Sequence, residues 1–317
     1  MVEFASWDLK AITNDFGEEN FITKTQFGML YRGRITLGCR KTMKGGRKVT
    51  VKIWCKNLQW FAPVGRYVVD QKLKLLNELR FLFHSSVRGH SNLVKLLGFC
   101  LDQSVGLYAI VFSWPQRIKV ALEIGRLLVF LHGHKLPYML RNLDAMHIVI
   151  DVNFSPVLVE FGMLSGGIMG ELTDILERPN VLPLLGSFGY VDLQMCMTGD
   201  GWLLPRDVYS FGALLLSIIT KRVVNKYRLQ NTIMSHDWAQ NAYEEEKALC
   251  HKESECSIAC GTLKQNPAYN ARDGHVVTLL GMQCMEFKLE RRPTMKDICK
   301  RLQSLRVVKQ YKEIMLL

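Results

Sequence analysis

The sequence predicts an α+β protein in two parts, a β-rich amino-terminal part with one helix and a mainly helical carboxy-terminal part. Three observations carry this. The first third holds five runs rich in β-branched and aromatic residues, at 21–28, 29–36, 48–54, 93–101 and 107–114, separated by Gly, Asn and Lys clusters. Among them Val68, Leu75, Leu76, Leu79, Leu82 and Phe83 recur at three- and four-residue spacing, the period of a helix. After Trp114 the helical period takes over. The expected boundaries are 1–20 for a lead-in segment, 21–114 for the β-rich part and 115–317 for the helical part. With 317 residues, 48% of them hydrophobic, a sizeable core is within reach.

The second part opens on a helix whose face is marked by Ile118, Ala121, Leu122, Gly125, Leu128 and Val129, ending near His132. A short strand pair follows at 147–150 and 156–160, with its turn at 151–153. Residues 163–204 read as irregular, 207–220 as a buried helix, and 231–270 as loops and short helices. The last helix is expected to begin at Pro293, a residue favoured in a first helical turn, with Met295, Ile298, Leu302 and Leu305 on its apolar face.

Composition excludes several classes. The opening MVEFASWDLK has neither a basic nor an apolar leader region, so no secretory signal is expected. Val2 stands where myristoylation needs glycine. The most apolar run, 213–219, is too short to span a bilayer. Nine scattered cysteines lack paired CxxC spacing, and the CHKESECSIAC cluster at 250–260 reads as free thiols in a reducing compartment rather than as a zinc site. A cytoplasmic location is expected. The formal charge is +12, with +9 of it in residues 1–112. The densest cluster, RKTMKGGRK at 40–48, reads as a solvated hairpin loop, with a docking patch for an acidic partner as its alternative. No nucleic-acid-binding motif accompanies the charge.

Four stretches, in order, carry a resemblance. VTVKI at 49–53 resembles the VAIK strand of protein kinases, with Lys52 as its lysine. HSNLVKLLGFC at 90–100 is similar to the segment after helix C in plant receptor-like kinases. DVYSFGALLLSIITKR at 207–222 resembles their helix F, and RRPTM at 291–295 the start of their last helix. FASWDLKAITNDF at 4–16 is similar to their lead-in. The resemblance to the plant receptor-like, Pelle-type kinases implies the two-lobed eukaryotic protein kinase-like fold, a β-rich N-lobe and a helical C-lobe. It places nucleotide contacts at Gly28, Leu30, Thr50, Lys52, Glu78 and Val149.

The chemical positions depart from that family. The glycine loop, which must let backbone approach phosphates, reads Thr23-Lys24-Thr25-Gln26-Phe27-Gly28 and keeps only its last glycine. Thr50 replaces the alanine of VAIK and adds bulk beside the expected adenine pocket. Glu78 is the candidate helix partner of Lys52, at a longer distance from HSNLV than the family's usual spacing. The resemblance puts the HRD positions at Leu140, Arg141 and Asn142. An amide at Asn142 cannot serve as the base, which alone removes a factor of roughly 10²–10⁴. The nearby lysine is Asp144, a charge reversal toward phosphate. The metal positions are His147 and Glu160, in place of asparagine and aspartate, and Mg²⁺ prefers oxygen ligands in strict geometry. ATP and Mg²⁺ binding is therefore expected to be weak or absent, and the chain to be a pseudokinase. The alternative is a weak or atypical Ser/Thr kinase using Lys52, Glu78 and Glu160.

Three further readings rest on the resemblance. FSWPQRIKVA joins the hinge directly to the next helix, so helix D looks absent; a deletion and a misplaced exon boundary both give this junction. GSFGYVDLQ at 186–194 replaces the usual APE-type ending, whose glutamate pairs in the family with an arginine, here Arg292. Ser165, Thr173 and Ser187 are candidate phosphorylation sites, with a solvated hydroxyl the alternative for each. Finally, DAMHIVID at 144–151 resembles the degenerate loop of the ZRK-type cytoplasmic pseudokinases. This implies an adaptor or decoy in plant immune signalling, partnered by an intracellular nucleotide-binding leucine-rich-repeat receptor or a kinase. It would lie at the inner face of the plasma membrane only through such partners.

Overall fold

The structure is a computed structural model that describes residues 2–3, 6–25, 28–35, 48–54, 60–62, 65–67, 71–87, 89–94, 98–99, 113–141, 143–151, 153–161, 163–169, 189–192, 203–222 and 235–312. The chain folds as two units. One comprises Met1–Gly89, Leu93–Val111 and Val159–Gly162; the other comprises His90–Asn92, Phe112–Leu158 and Met163–Leu317.

In the first unit, β1 (Val2–Glu3) pairs in parallel with β7 (Gly98–Phe99). Helix α1 (Ser6–Thr13) precedes an antiparallel three-stranded sheet of β2 (Phe21–Lys24), β3 (Gly28–Arg34) and β4 (Lys48–Trp54). A short hairpin of β5 (Trp60–Ala62) and β6 (Gly65–Tyr67) leads to α2 (Gln71–Phe83). The two-residue alternation of β4 turns Val51 and Ile53 inward. They join Leu9, Ile12, Phe21, Tyr31 and Ile35 in one buried cluster. Leu9 and Ile12 are one helical turn apart, so α1 contributes to this core as well. Tyr31 sits edge-on to both Phe16 and Phe21, with centroids at 5.4 and 5.9 Å.

The second unit is built on α3 (Trp114–His132), α4 (Leu204–Thr220), α5 (Ser235–Leu249), α6 (Gly261–Lys264), α7 (Ala271–Cys284), α8 (Met295–Ser304) and α9 (Arg306–Gln310). Helix α3 packs against α8 and α4, and α4 packs against α7. At that last contact a Cβ on Gly212 would lie 2.6 Å from Cys284 Cβ, and one on Gly281 would meet Leu216. The two helices approach so closely only because both positions lack side chains. Two antiparallel pairs complete the unit: β8 (Tyr138–Met139) with β11 (Ser165–Gly166), and the hairpin of β9 (Ile148–Ile150) and β10 (Pro156–Leu158).

Several boundaries differ from the sequence reading. Trp114 is not the end of a strand. Ser113 caps α3 there, its amide donating to Gln116 Oε1 at 2.8 Å. Pro293 precedes the last helix rather than starting it, because Thr294 takes the cap position and its hydroxyl accepts from the Asp297 amide at 3.2 Å. Residues 235–249, inside the stretch read as loops and short helices, form one fifteen-residue helix, α5. Among its described side chains only Ala239 and Tyr243 are buried, too narrow a stripe to register as a period. The strand expected at 107–112, the basic cluster up to Arg47 and the hinge before Ser113 lie outside the described residues.

Candidate active site

The first unit supplies a buried cation. In the β3–β4 register Leu30 stands opposite Lys52, Arg32 opposite Thr50 and Gly28 opposite Trp54. Alternation places Thr50 and Lys52 on the face away from the core cluster, with Thr50 exposed and Leu30 buried. Lys52 Nζ donates to Glu78 Oε2 at 2.9 Å and Oε1 at 3.1 Å, to Glu160 Oε1 at 3.0 Å and to the Val159 carbonyl at 3.1 Å. The Lys52 side chain is 13% exposed, that of Glu78 7% and that of Glu160 not at all. Phe161, the next residue, places its amide 3.5 Å from Glu78 Oε2 and its ring 5.1 Å from that of Phe81 on α2.

Two carboxylates against one ammonium, out of water, shift the Glu78 and Lys52 equilibria. Burial pushes the Glu78 carboxyl up to about 7; Lys52 pulls it down and Glu160 adds to the rise. Burial works to lower the Lys52 pKa, but the Glu160 and Glu78 charges outweigh it and the net direction is upward.

The glycine-loop segment closes on itself. Thr25 is buried, its amide donating to the Gly28 carbonyl at 2.7 Å and its hydroxyl to the same oxygen at 3.1 Å. Gln26, Phe27 and the Thr23 side chain lie outside the described residues.

In the second unit Asp207, in the first turn of α4, organises the loop after β8. Its Oδ2 accepts from the Leu140 amide at 2.8 Å and its Oδ1 from the Arg141 amide at 3.0 Å, while His132 Nε2 lies 3.1 Å from Oδ2. Arg141 is held at φ +62°, left-handed for a non-glycine residue. Burial lowers the Arg141 pKa to about 10, with Asp207 opposing, so the guanidinium stays charged at neutral pH. Asn142, the position of the missing base, lies outside the described residues. Asp144 turns inward: its Oδ1 accepts from the Met146 amide at 2.6 Å, capping a 3₁₀ turn at Ala145–His147. Its other oxygen lies 3.7 Å from His147 Nε2, and neither side chain is exposed. Val149 follows on β9, half-buried and paired with Val157.

Asp192 has a role that the sequence reading missed. Its Oδ2 receives Arg292 Nη1 at 2.6 Å and Arg206 Nη1 at 3.2 Å, all three side chains buried. Arg292 also donates from Nε to the Glu286 carbonyl at 2.7 Å. Its guanidinium carbon lies 5.2 Å from the Tyr209 ring centre, and burial, with Asp192 nearby, raises the Tyr209 hydroxyl to about 12. Arg292 has therefore not lost its acidic partner with the APE-type glutamate. A carboxylate two residues upstream supplies it, and the advance signal was Asp192 itself, two positions before Gln194. Ser165 is buried in β11, which removes it as an accessible phosphorylation site in this structure. Thr173, Ser187, Leu193 and Gln194 lie outside the described residues. Cys250, Cys256 and Cys260 carry free thiols, and among the described residues no group of three or more His, Cys, Asp or Glu side chains is placed to hold a metal ion. No described helix is long and apolar enough to cross a membrane.

The chain that builds this lysine–glutamate pair and this helix aspartate is similar over most of its length to a set of known proteins. The receptor-like cytoplasmic serine/threonine-protein kinase of Nicotiana benthamiana described as EPD1-interacting is 27% identical over 95% of this chain and 63% of its own length. Two Arabidopsis thaliana proteins show the same identity: the probable serine/threonine-protein kinase PBL8, over 90% of this chain and 73% of its own, and the serine/threonine-protein kinase BIK1, over 94% and 74%. The chain is a relative of plant receptor-like cytoplasmic kinases. No protein-family model matches it. The likeness to these kinases covers nearly the whole chain and accounts for the mixed strand-and-helix architecture of the two units. These relatives are named as kinases, and none of the three is named as a ZRK-type pseudokinase.

Proposed function

We propose that this receptor-like cytoplasmic kinase homologue has lost efficient phosphoryl transfer and acts by protein–protein contact, as an adaptor or decoy in plant immune signalling. The observation that carries the reading is the contrast within one loop. The backbone at Leu140 and Arg141 is held by Asp207, yet the side chain that should attract phosphate is Asp144, a carboxylate folded onto its own turn. Scaffold contacts are kept where chemical groups are replaced. Transition-state electrostatics is usually the largest catalytic contribution, and here its sign is reversed.

The described residues do not fit a magnesium-bound triphosphate. Within the first unit Lys52 is already spread over four oxygens with Glu160 buried against it; within the second, His147 offers a buried imidazole beside Asp144. The immune-adaptor assignment and the ZRK-type subgroup rest on the DAMHIVID loop. They imply an intracellular leucine-rich-repeat receptor or a partner kinase, met in the cytoplasm or at the inner face of the plasma membrane.

The test is transfer of radiolabelled γ-phosphate to a general protein acceptor and to the chain itself, with magnesium. Wild type and Lys52→Ala should incorporate equally little. Metal-dependent incorporation that Lys52→Ala abolishes would overturn the proposal. It would support the second reading, a weak Ser/Thr kinase, which the intact Lys52–Glu78 pair favours.

A further inference from the structure

We propose that the Glu160 carboxylate is a built-in occupant of the Lys52 cation site, filling the place of an anionic ligand and so excluding polyphosphate from it. The proposal rests on reading the Lys52 strand as a former nucleotide site. An ammonium group has three donors, and Lys52 Nζ faces four oxygens within 3.1 Å, all from this chain. One of the two carboxylates comes from α2. The other comes from a strap in which three successive residues are fastened. The Val159 carbonyl accepts from Lys52, Glu160 Oε1 does the same, and the Phe161 ring packs on Phe81. Glu160 is therefore placed by its neighbours on both sides and has no exposed side-chain surface.

A phosphate approaching Nζ meets two obstacles. It must displace an oxygen already bonded there, which leaves a buried carboxylate without its cation. It must also enter against the negative charge of Glu160 beside the ammonium. Replacing aspartate by glutamate at this position keeps the charge and adds the reach of one methylene. This gives the sequence change a positive role: it fills the site rather than merely displacing a metal ion.

The experiment compares binding of ATP in EDTA to the wild type and to Glu160→Gln, which keeps shape and removes charge. Fluorescence titration with an ATP analogue labelled on the ribose reads the affinity, and uncharged adenosine serves as the control. Loss of one like charge within a few ångströms should tighten ATP at least about tenfold at the effective dielectric of a protein site. Adenosine should be unchanged, and Lys52→Ala in the Glu160→Gln background should abolish the gain. Glu160→Asp, which withdraws the carboxylate by one methylene, should show a smaller gain and decides the matter if the glutamine variant does not fold. Equal ATP affinity in wild type and variant, including the case where neither binds, overturns the proposal, as does a gain shared by adenosine. Equal affinities without phosphate transfer would leave the inactive reading of the site standing. Transfer by the wild type would sink that reading on its own.

Discussion

A glutamate that must share one ammonium with a second carboxylate, away from water, does not titrate like a surface glutamate. Glu78 is raised from 4.5 to about 7, so the folded state holds a proton there that the unfolded chain releases. The sign follows from linkage. This group's contribution to stability is fully present below pH 4.5 and is lost as pH rises through about 7. Removing its charge as Glu78→Gln should abolish that loss. Urea melts at pH 5 and pH 7.5 should therefore show the variant gaining on the wild type as pH rises, and parallel pH dependences would show that Glu78 is an ordinary carboxylate. Asp192 presents the opposite case, one carboxylate between two arginines. Asp192→Ala removes a buried carboxylate from Arg206 and Arg292 and should cost roughly 3–5 kcal/mol. A loss below ~1 kcal/mol in denaturant titration would mean that the network contributes only position. Lys52, Glu78 and Glu160 were all named in advance, from the resemblance to kinases rather than from periodicity. That Glu160 bonds Lys52 directly was not legible, since residues 52 and 160 are brought together only by the fold. The same holds for Asp192, exactly a hundred positions from Arg292 in sequence.

Elements with a wide apolar face were legible, and elements with a narrow one were not. The stripe from Ile118 to Val129 predicts α3 to its last residue, and the apolar run after Asp207 predicts most of α4. Helix α5 was not delimited, because Ala239 and Tyr243, the buried residues among its described side chains, make no visible period. Strand β4 was read to its ends, while the small β5–β6 hairpin was missed because its residues carry no alternation. The loop after β8 shows how an element imposes geometry on a neighbour that has none of its own. Helix α4 presents Asp207 to two adjacent amides, and the chain accepts a left-handed Arg141 in return. Asp207→Ala should destabilise the protein by roughly 1–3 kcal/mol for each buried amide left without an acceptor. Amide hydrogen exchange should show the Leu140 and Arg141 protons released. If both stay protected and stability is unchanged, the clamp is ornamental and the case for a preserved scaffold weakens.

At the scale of the whole molecule, the two parts read from sequence differ in how far physics alone could carry them. Their secondary-structure classes follow from periodicity. Their kinship with receptor-like cytoplasmic kinases required ordered motifs, and relatives at 27% identity now support it. What the chain does with that architecture depends on whether nucleotide is a ligand at all, and mass action turns this into a stability measurement. A ligand at a hundred times its dissociation constant adds about 2.7 kcal/mol to the stability of the state that binds it. For a domain of 150–250 residues each kcal/mol moves the midpoint by roughly 2–4 °C, so saturation by Mg–ATP would move the transition by several degrees. The Lys52 ammonium held by two internal carboxylates, and Asp144 and His147 buried against each other, lead us to expect a shift below about 1 °C. A shift of several degrees that requires magnesium would mean that Glu160 leaves Lys52 when nucleotide arrives. The carboxylate would then be a metal ligand in waiting, and the contact-only function would lose its physical basis.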